Sequence, residues 1–96
     1  MELEIIARFH AREGRETDVA AMLAEQVGLA RNEPGCLEIA ALASTGDPRL
    51  FFIHSRWSDE AGFDVHAELP RTIRFVEMME ALINHPFDAA RVRKIG

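Results

Sequence analysis

Cys36-Leu37-Glu38-Ile39-Ala40-Ala41-Leu42-Ala43-Ser44, Thr45-Gly46-Asp47-Pro48 and Leu50-Phe51-Phe52-Ile53-His54-Ser55-Arg56-Trp57 make up one stretch of the chain, and its reading decides the fold. The second run is rich in aromatic and β-branched side chains, which suit a pleated surface. The first run is richer in alanine but of similar length, and Gly46 and Pro48 break the chain between the two. A connection this short joins antiparallel neighbours, so residues 36–44 and 50–57 read as a hairpin.

Outward from the hairpin, each side carries a helix and then a strand. Upstream, Val19, Met22, Leu23, Val27 and Ala30 repeat at helical spacing, with Thr17 or a neighbour as the expected cap and a helix running to about Arg31. Asn32-Glu33-Pro34-Gly35 stops that helix, because proline cannot continue it and glycine permits the reversal. Before it, residues 2–10 alternate, with Leu3, Ile5, Ala7 and Phe9 on one face. Downstream, Ser58 is the expected N-cap of a helical segment reaching about His66 or Glu68. Pro70 restarts a helix whose stripe is Phe75, Val76, Met79, Leu82 and Ile83. Residues 87–95 read as a closing strand.

The order is β-α-β-β-α-β, a ferredoxin-like α+β pattern in a single domain over residues 1–96. It predicts a four-stranded antiparallel sheet with its helices on one face. The other face is also apolar: Leu37, Ile39, Ala41 and Ala43 alternate with Cys36, Ala40 and Leu42, and Phe51 and Ile53 with Leu50 and Phe52. A monomer rarely exposes such a patch, so a homodimer stacked sheet on sheet is expected.

Composition narrows the function. Eleven basic against sixteen acidic residues leave a formal net charge of −5, which argues against a nucleic-acid binder or an anionic membrane surface. Cys36 is the sole cysteine, so no intrachain disulfide forms. No apolar run approaches the roughly 20 residues of a membrane span. The opening MELEIIARF lacks the regions of a secretory signal. The expectation is a cytoplasmic protein of a reducing compartment.

Three segments together resemble a known family. Glu33-Pro34-Gly35-Cys36-Leu37, the run from Phe51 through Trp57 to Glu60, and the following His66 are similar in order and spacing to the antibiotic biosynthesis monooxygenase superfamily. The resemblance extends over essentially the whole chain. It implies a dimeric α+β barrel with a pocket between sheet and helices in each subunit. Members similar to this chain include cofactor-free oxygenases of anthrones or quinols, haem-degrading enzymes and proteins with no established activity. A cofactor-free monooxygenase is therefore expected, with a non-catalytic small-ligand-binding or stress-response module of the same fold, or a haem-binding or haem-degrading protein, as the alternative. The chain departs from the pattern in places. Many members carry a glutamate two residues before the tryptophan, where this chain has Ser55. Many follow the first histidine with a Pro-His pair, where Pro70 is followed by Arg71. The haem degraders' asparagine is absent from residues 2–10, and there is no tyrosine.

Cofactor-free oxygenation needs a dry aromatic pocket, a group to move a proton and hydrogen bonds to substrate oxygens. No metal-binding motif is present. The candidates for catalysis are His66 as base, Trp57 as pocket wall and N–H donor, and His54 paired with a carboxylate. The candidates for substrate contact are Arg56, Phe52, Phe63, Phe75 and Met79. The partners expected are a small aromatic substrate and O₂, with haem through His66 as the alternative. Structural readings compete with each. Trp57 can be a core anchor, His66 can bond a backbone carbonyl near Asp59–Phe63, and Arg56 can pair with Glu38. His10 reads as solvated, His85 as a helix-end residue and Cys36 as a small buried hydrophobe.

Overall fold

Leu3, Ile5, Ala7 and Phe9 point one way along β1 (Leu3–His10), and all four are buried. The computed structural model describes all residues, Met1–Gly96. After β1 come α1 (Glu16–Ala30), β2 (Cys36–Ala43), β3 (Leu50–Trp57), α2 (Glu60–Glu68), α3 (Pro70–Glu80) and β4 (Asp88–Val92). The strands lie in the order β2-β3-β1-β4, and every neighbouring pair is antiparallel. This is the ferredoxin-like arrangement expected from the hairpin and its flanks.

Ala7 and Phe9 of β1, Ile39 of β2, and Phe51 and Ile53 of β3 form one core with Val19, Leu23, Val27 and Ala30 of α1 and Phe75 and Met79 of α3. Both helical layers therefore cover the same face of the sheet. A smaller cluster, Leu3, Ile5 and Trp57, closes one end and packs against Phe63 of α2. No helix is long and apolar enough to cross a membrane.

Local details differ from the sequence expectations for identifiable reasons. Gly14, at φ +82°, turns the chain so that α1 begins at Glu16, and no side chain at the Arg15 cap position bonds the helix's free N–H groups. Thr17 lies inside the helix. At α2 the cap is Asp59, whose Oδ1 accepts the Gly62 N–H at 2.8 Å. Ser58 instead donates its backbone N–H to the Gly35 carbonyl at 2.9 Å. The register of β2 shifts between Cys36 and Glu38. Leu37 is the extra residue, so Cys36 and Ile39 both pack inward although simple alternation sets them on opposite faces. β4 is shorter than residues 87–95, because Val92 already pairs with Glu4 near the start of β1. Phe87 precedes the strand and packs on Phe9 with ring centroids 5.7 Å apart.

Candidate functional site

The corner Glu33-Pro34-Gly35 follows α1 and folds back onto α2. Gly35 has φ +86°, and a Cβ there would lie 3.2 Å from Ser58 Oγ and 3.5 Å from the Gly62 Cα. A glycine is needed on both counts, since the conformation and the close approach each disfavour a side chain. The docked corner turns the Glu33 carboxylate toward α2. Its Oε1 lies 2.7 Å from His66 Nδ1, and its Oε2 accepts from Arg71 Nη2 at 2.6 Å. Pro70 starts α3 and so sets Arg71 in the first turn of that helix. The histidine and glutamate side chains are 10% and 8% exposed, whereas that of Arg71 is 44% exposed. His66 thus bonds a carboxylate rather than the backbone carbonyl that the sequence left open.

A neutral imidazole holding Nδ1–H toward Glu33 carries its lone pair on Nε2. His66 lines a cavity of about 370 Å³ between the sheet and the helices. Ile5, Ala7, Phe9, Ile39 and Ile53 lie on its sheet wall, and Phe63, Phe75, Val76 and Phe87 add aromatic and aliphatic surface. The polar groups are few: His66, Ser55, Gln26, Thr72 and Glu77. An apolar cleft with a small number of polar groups is the usual form of a small-molecule site. Arg91 of β4 holds Phe63 in place. Its guanidinium lies 5.1 Å from the ring centroid and pairs with Asp64 at 2.8 Å. The Asp64 carboxylate raises the guanidinium's pKa above its ordinary value.

Trp57 sits at the end of β3, fully buried, and is not part of the cavity wall. Its indole N–H donates to Ser55 Oγ at 3.0 Å, so it is not free for a substrate oxygen. Its ring lies 4.9 Å from that of His66 and 5.7 Å from that of Phe63. Trp57 therefore orients the histidine and the serine from behind, which corrects its expected role as a lining donor. Met79 is likewise corrected: it is fully buried in the main core and does not reach the cavity. Phe63 and Phe75 line it.

His54, Arg56 and Phe52 lie on the opposite face of the sheet, because they alternate with the inward Ile53 and Ser55. His54 Nε2 is 2.9 Å from Glu4 Oε1, a carboxylate partner of the kind expected. Arg56 pairs with Glu2 at 2.7 Å rather than with Glu38. Glu38 on β2 and Glu4 on β1 stand directly opposite Arg56, and Glu2, just before β1, reaches it along the diagonal. The neighbouring glutamates Glu2, Glu38 and Glu4 push the Arg56 pKa up, Glu2 most of all. The sheet thus separates these three residues from His66 within one chain.

His10 is not simply solvated: it contacts Asp47 at 3.0 Å and Asn84 at 2.8 Å. Its backbone N–H donates to His85 Nε2 at 3.0 Å. His85 therefore ties the loop after α3 to β1 rather than serving the helix end. Cys36 is half-buried, and burial together with the charge of Glu33 raises its thiol pKa. No group of three or more His, Cys, Asp or Glu is arranged to hold a metal ion.

Sequence reasoning singled out His66 but missed Glu33, Ser55, Gln26 and Thr72 as site residues. In the sequence Glu33 reads as part of a helix stop and of the segment that carries the family resemblance, with no role at a site. Ser55 was noticed only as a departure from the family pattern.

The sequence profile described as antibiotic biosynthesis monooxygenase matches residues 3–78. The chain belongs to the antibiotic biosynthesis monooxygenase family. Solved structures agree on the fold. Rv0793 from Mycobacterium tuberculosis superposes with a TM-score of 0.91 at 19% identity, covering 100% of this chain and 97% of that one. A structure named antibiotic biosynthesis monooxygenase gives 0.88 at 23% identity, covering 98% and 99%. PA3566 from Pseudomonas aeruginosa gives 0.88 at 25% identity, covering 99% and 95%. A search of curated proteins found no match. Membership of this family supports a monooxygenase-like fold around the Glu33–His66 cavity.

Proposed function

We propose that the protein is a homodimeric, cofactor-independent monooxygenase that oxidises a quinol- or anthrone-like aromatic with O₂. The observation that carries this reading is the Glu33–His66 pair at the wall of an apolar cavity. Glu33 holds the imidazole in the tautomer whose Nε2 is a base, and Arg71 donates to the other carboxylate oxygen and fixes its position. Nε2 takes the acidic proton of the bound substrate, and the Ser55 hydroxyl donates to the anion that forms.

The electron-rich anion passes one electron to O₂, and the resulting radical pair combines into a carbon-bound peroxide. The imidazolium returns its proton to the peroxide. Loss of water then leaves a new C=O, so one oxygen atom enters the product and the other leaves as water. The lining of Phe63, Phe75 and Phe87 suits both a flat aromatic and apolar O₂, and it excludes water from the radical pair.

The outer face of the sheet supports the homodimer. Ile6 and Leu42 are 42% and 49% exposed there, beside half-buried Phe52. A second copy stacked on this face covers them.

Haem fits the cavity less well. His66 has the right type of nitrogen, but no arginine or lysine lines the cavity to receive propionates. The charged residue of its wall is the acidic Glu77.

Oxygen uptake against hydroquinones and anthrones, corrected for autoxidation, tests the proposal. Enzyme-dependent uptake that disappears in His66→Ala supports it. Uptake equal to the protein-free rate across the panel overturns it.

A further inference from the structure

We infer that Thr72 is a specificity-determining residue that hydrogen-bonds a second oxygen function of the substrate, so that the cavity takes aromatics oxygenated at two positions. The inference rests on the proposed monooxygenase reading and narrows its substrate class.

Thr72 stands in the first turn of α3, is 7% exposed and lines the cavity. Its Oγ1 is fully buried and has no hydrogen-bond partner, the one side-chain oxygen or nitrogen of the chain in that condition. Proteins pair nearly all such groups, and an exception calls for a physical reason. A helical threonine ordinarily returns its hydroxyl to a carbonyl three or four residues earlier, and Thr72 does not. Its χ1 is therefore not locked by a bond, and a rotation exchanges hydroxyl and methyl at the cavity wall. A valine would fill the same volume without an unpaired oxygen. The hydroxyl has a role only when a ligand supplies the partner.

The other polar groups of the cavity fall into place around this one. His66 and Ser55 gather around Trp57. Gln26 enters from α1, 5% exposed, with an amide that can both donate and accept. The lining therefore offers polar groups from α1 and α3 in addition to the base and its serine. A ligand with one oxygen satisfies the His66 side and leaves Thr72 unpaired. A dihydroxylated aromatic places one oxygen at His66 and the other at Thr72, which favours the quinol branch of the proposed chemistry over the anthrone branch.

Anaerobic titration separates binding from turnover. The probes are 1,4-dihydroxynaphthalene and 1-naphthol, which share one ring system and differ by one hydroxyl. Binding is read from the fluorescence of Trp57, the sole tryptophan. Wild type is expected to bind the diol about 3- to 10-fold more tightly, the range of one neutral hydrogen bond. Thr72→Val is expected to abolish this preference while moving the naphthol Kd less than about twofold, and Thr72→Ser is expected to keep it. Thr72→Ala serves in place of the valine variant if that variant fails to fold. A wild type without preference, or a valine or alanine variant that retains the preference, overturns the inference. If neither probe binds, both the inference and the monooxygenase reading fall. If the preference is present and Thr72-dependent but no oxygen is consumed in air, the inference stands and the monooxygenase reading fails alone.

Discussion

Oε1 of Glu33 lies 2.7 Å from Nδ1 of His66, although 33 residues separate them in the chain. One comes from the corner after α1 and the other from the last turns of α2. What joins them is the close approach of Gly35 to Ser58 and Gly62. A carboxylate on Nδ1 selects the tautomer that leaves the lone pair on Nε2. On the proposed function, His66→Ala lowers kcat about 10²- to 10⁴-fold, the span of a general base. Glu33→Gln keeps the shape and removes the charge, and it lowers kcat about 10- to 100-fold, as for other groups that orient a histidine. Initial rates of oxygen uptake measure both, with circular dichroism confirming the fold. A Glu33→Gln enzyme of full activity removes the carboxylate from the mechanism.

Much of the fold was legible because period-2 and helical spacing survive in single sequences. Leu3, Ile5, Ala7 and Phe9 announce their face without help from the rest of the chain. Parity also separates His54 from Ser55, so the placement of His54, Arg56 and Phe52 away from the cavity was readable in principle. The bulge at Leu37 was not, because an inserted residue swaps the faces of a strand and leaves no mark on composition. Glu33 was hidden for a different reason. In sequence it belongs to a helix stop, and its role depends on a tertiary contact with α2. Thr72 carries no signal at all, since an unpaired hydroxyl is defined by what surrounds it.

Cys36 offers a test of the inner side of the bulge. Burial first, and then the Glu33 charge, hold its thiol pKa above the ordinary value. The thiolate is the reactive form, so at pH 8 alkylation runs slower than for a free small-molecule thiol. Glu33→Gln removes the smaller contribution and speeds the reaction, without reaching the free rate. Rates with iodoacetamide decide this, and a wild-type rate equal to that of the free thiol contradicts the buried placement.

Asp47 sets an acid limit. Its carboxyl pKa is lowered chiefly by the Arg49 backbone N–H and next by the His10 side chain. The folded value lies below the unfolded one, so the contribution to stability is complete above the unfolded pKa of about 4 and is lost as pH falls through the folded value. Wild type is therefore more stable than Asp47→Asn near pH 5, and the margin shrinks below about pH 4. Urea midpoints of the two proteins across that range measure it. A margin that does not change with pH removes the linkage.

The proposed dimer is tested on the outer face. Ile6→Glu and Leu42→Glu each set a charge on a surface the second copy would bury, where an unpaired ion is costly. Both residues are more than 40% exposed in the single chain, at 42% and 49%, so the variants spare the monomer's core. Sedimentation velocity is expected to show a dimer for wild type and a shift toward monomer for each variant. A wild type that sediments as a monomer at high concentration rejects the sheet-on-sheet assembly.

Gly35 and Gly14 make a controlled pair. Both hold positive φ, at +86° and +82°, but a Cβ at Gly14 meets nothing within 4 Å, while one at Gly35 meets Ser58 Oγ at 3.2 Å. Alanine at either site pays backbone strain of about 1–3 kcal/mol. At Gly35 it must also push the corner away from α2, and Glu33 moves with the corner. Gly14→Ala is therefore expected to lower the urea midpoint and leave activity per folded molecule intact. Gly35→Ala lowers the midpoint further and reduces oxygen uptake as well. Equal losses of stability with no difference in activity would show that the corner does not need its close approach to α2 to hold Glu33 against His66.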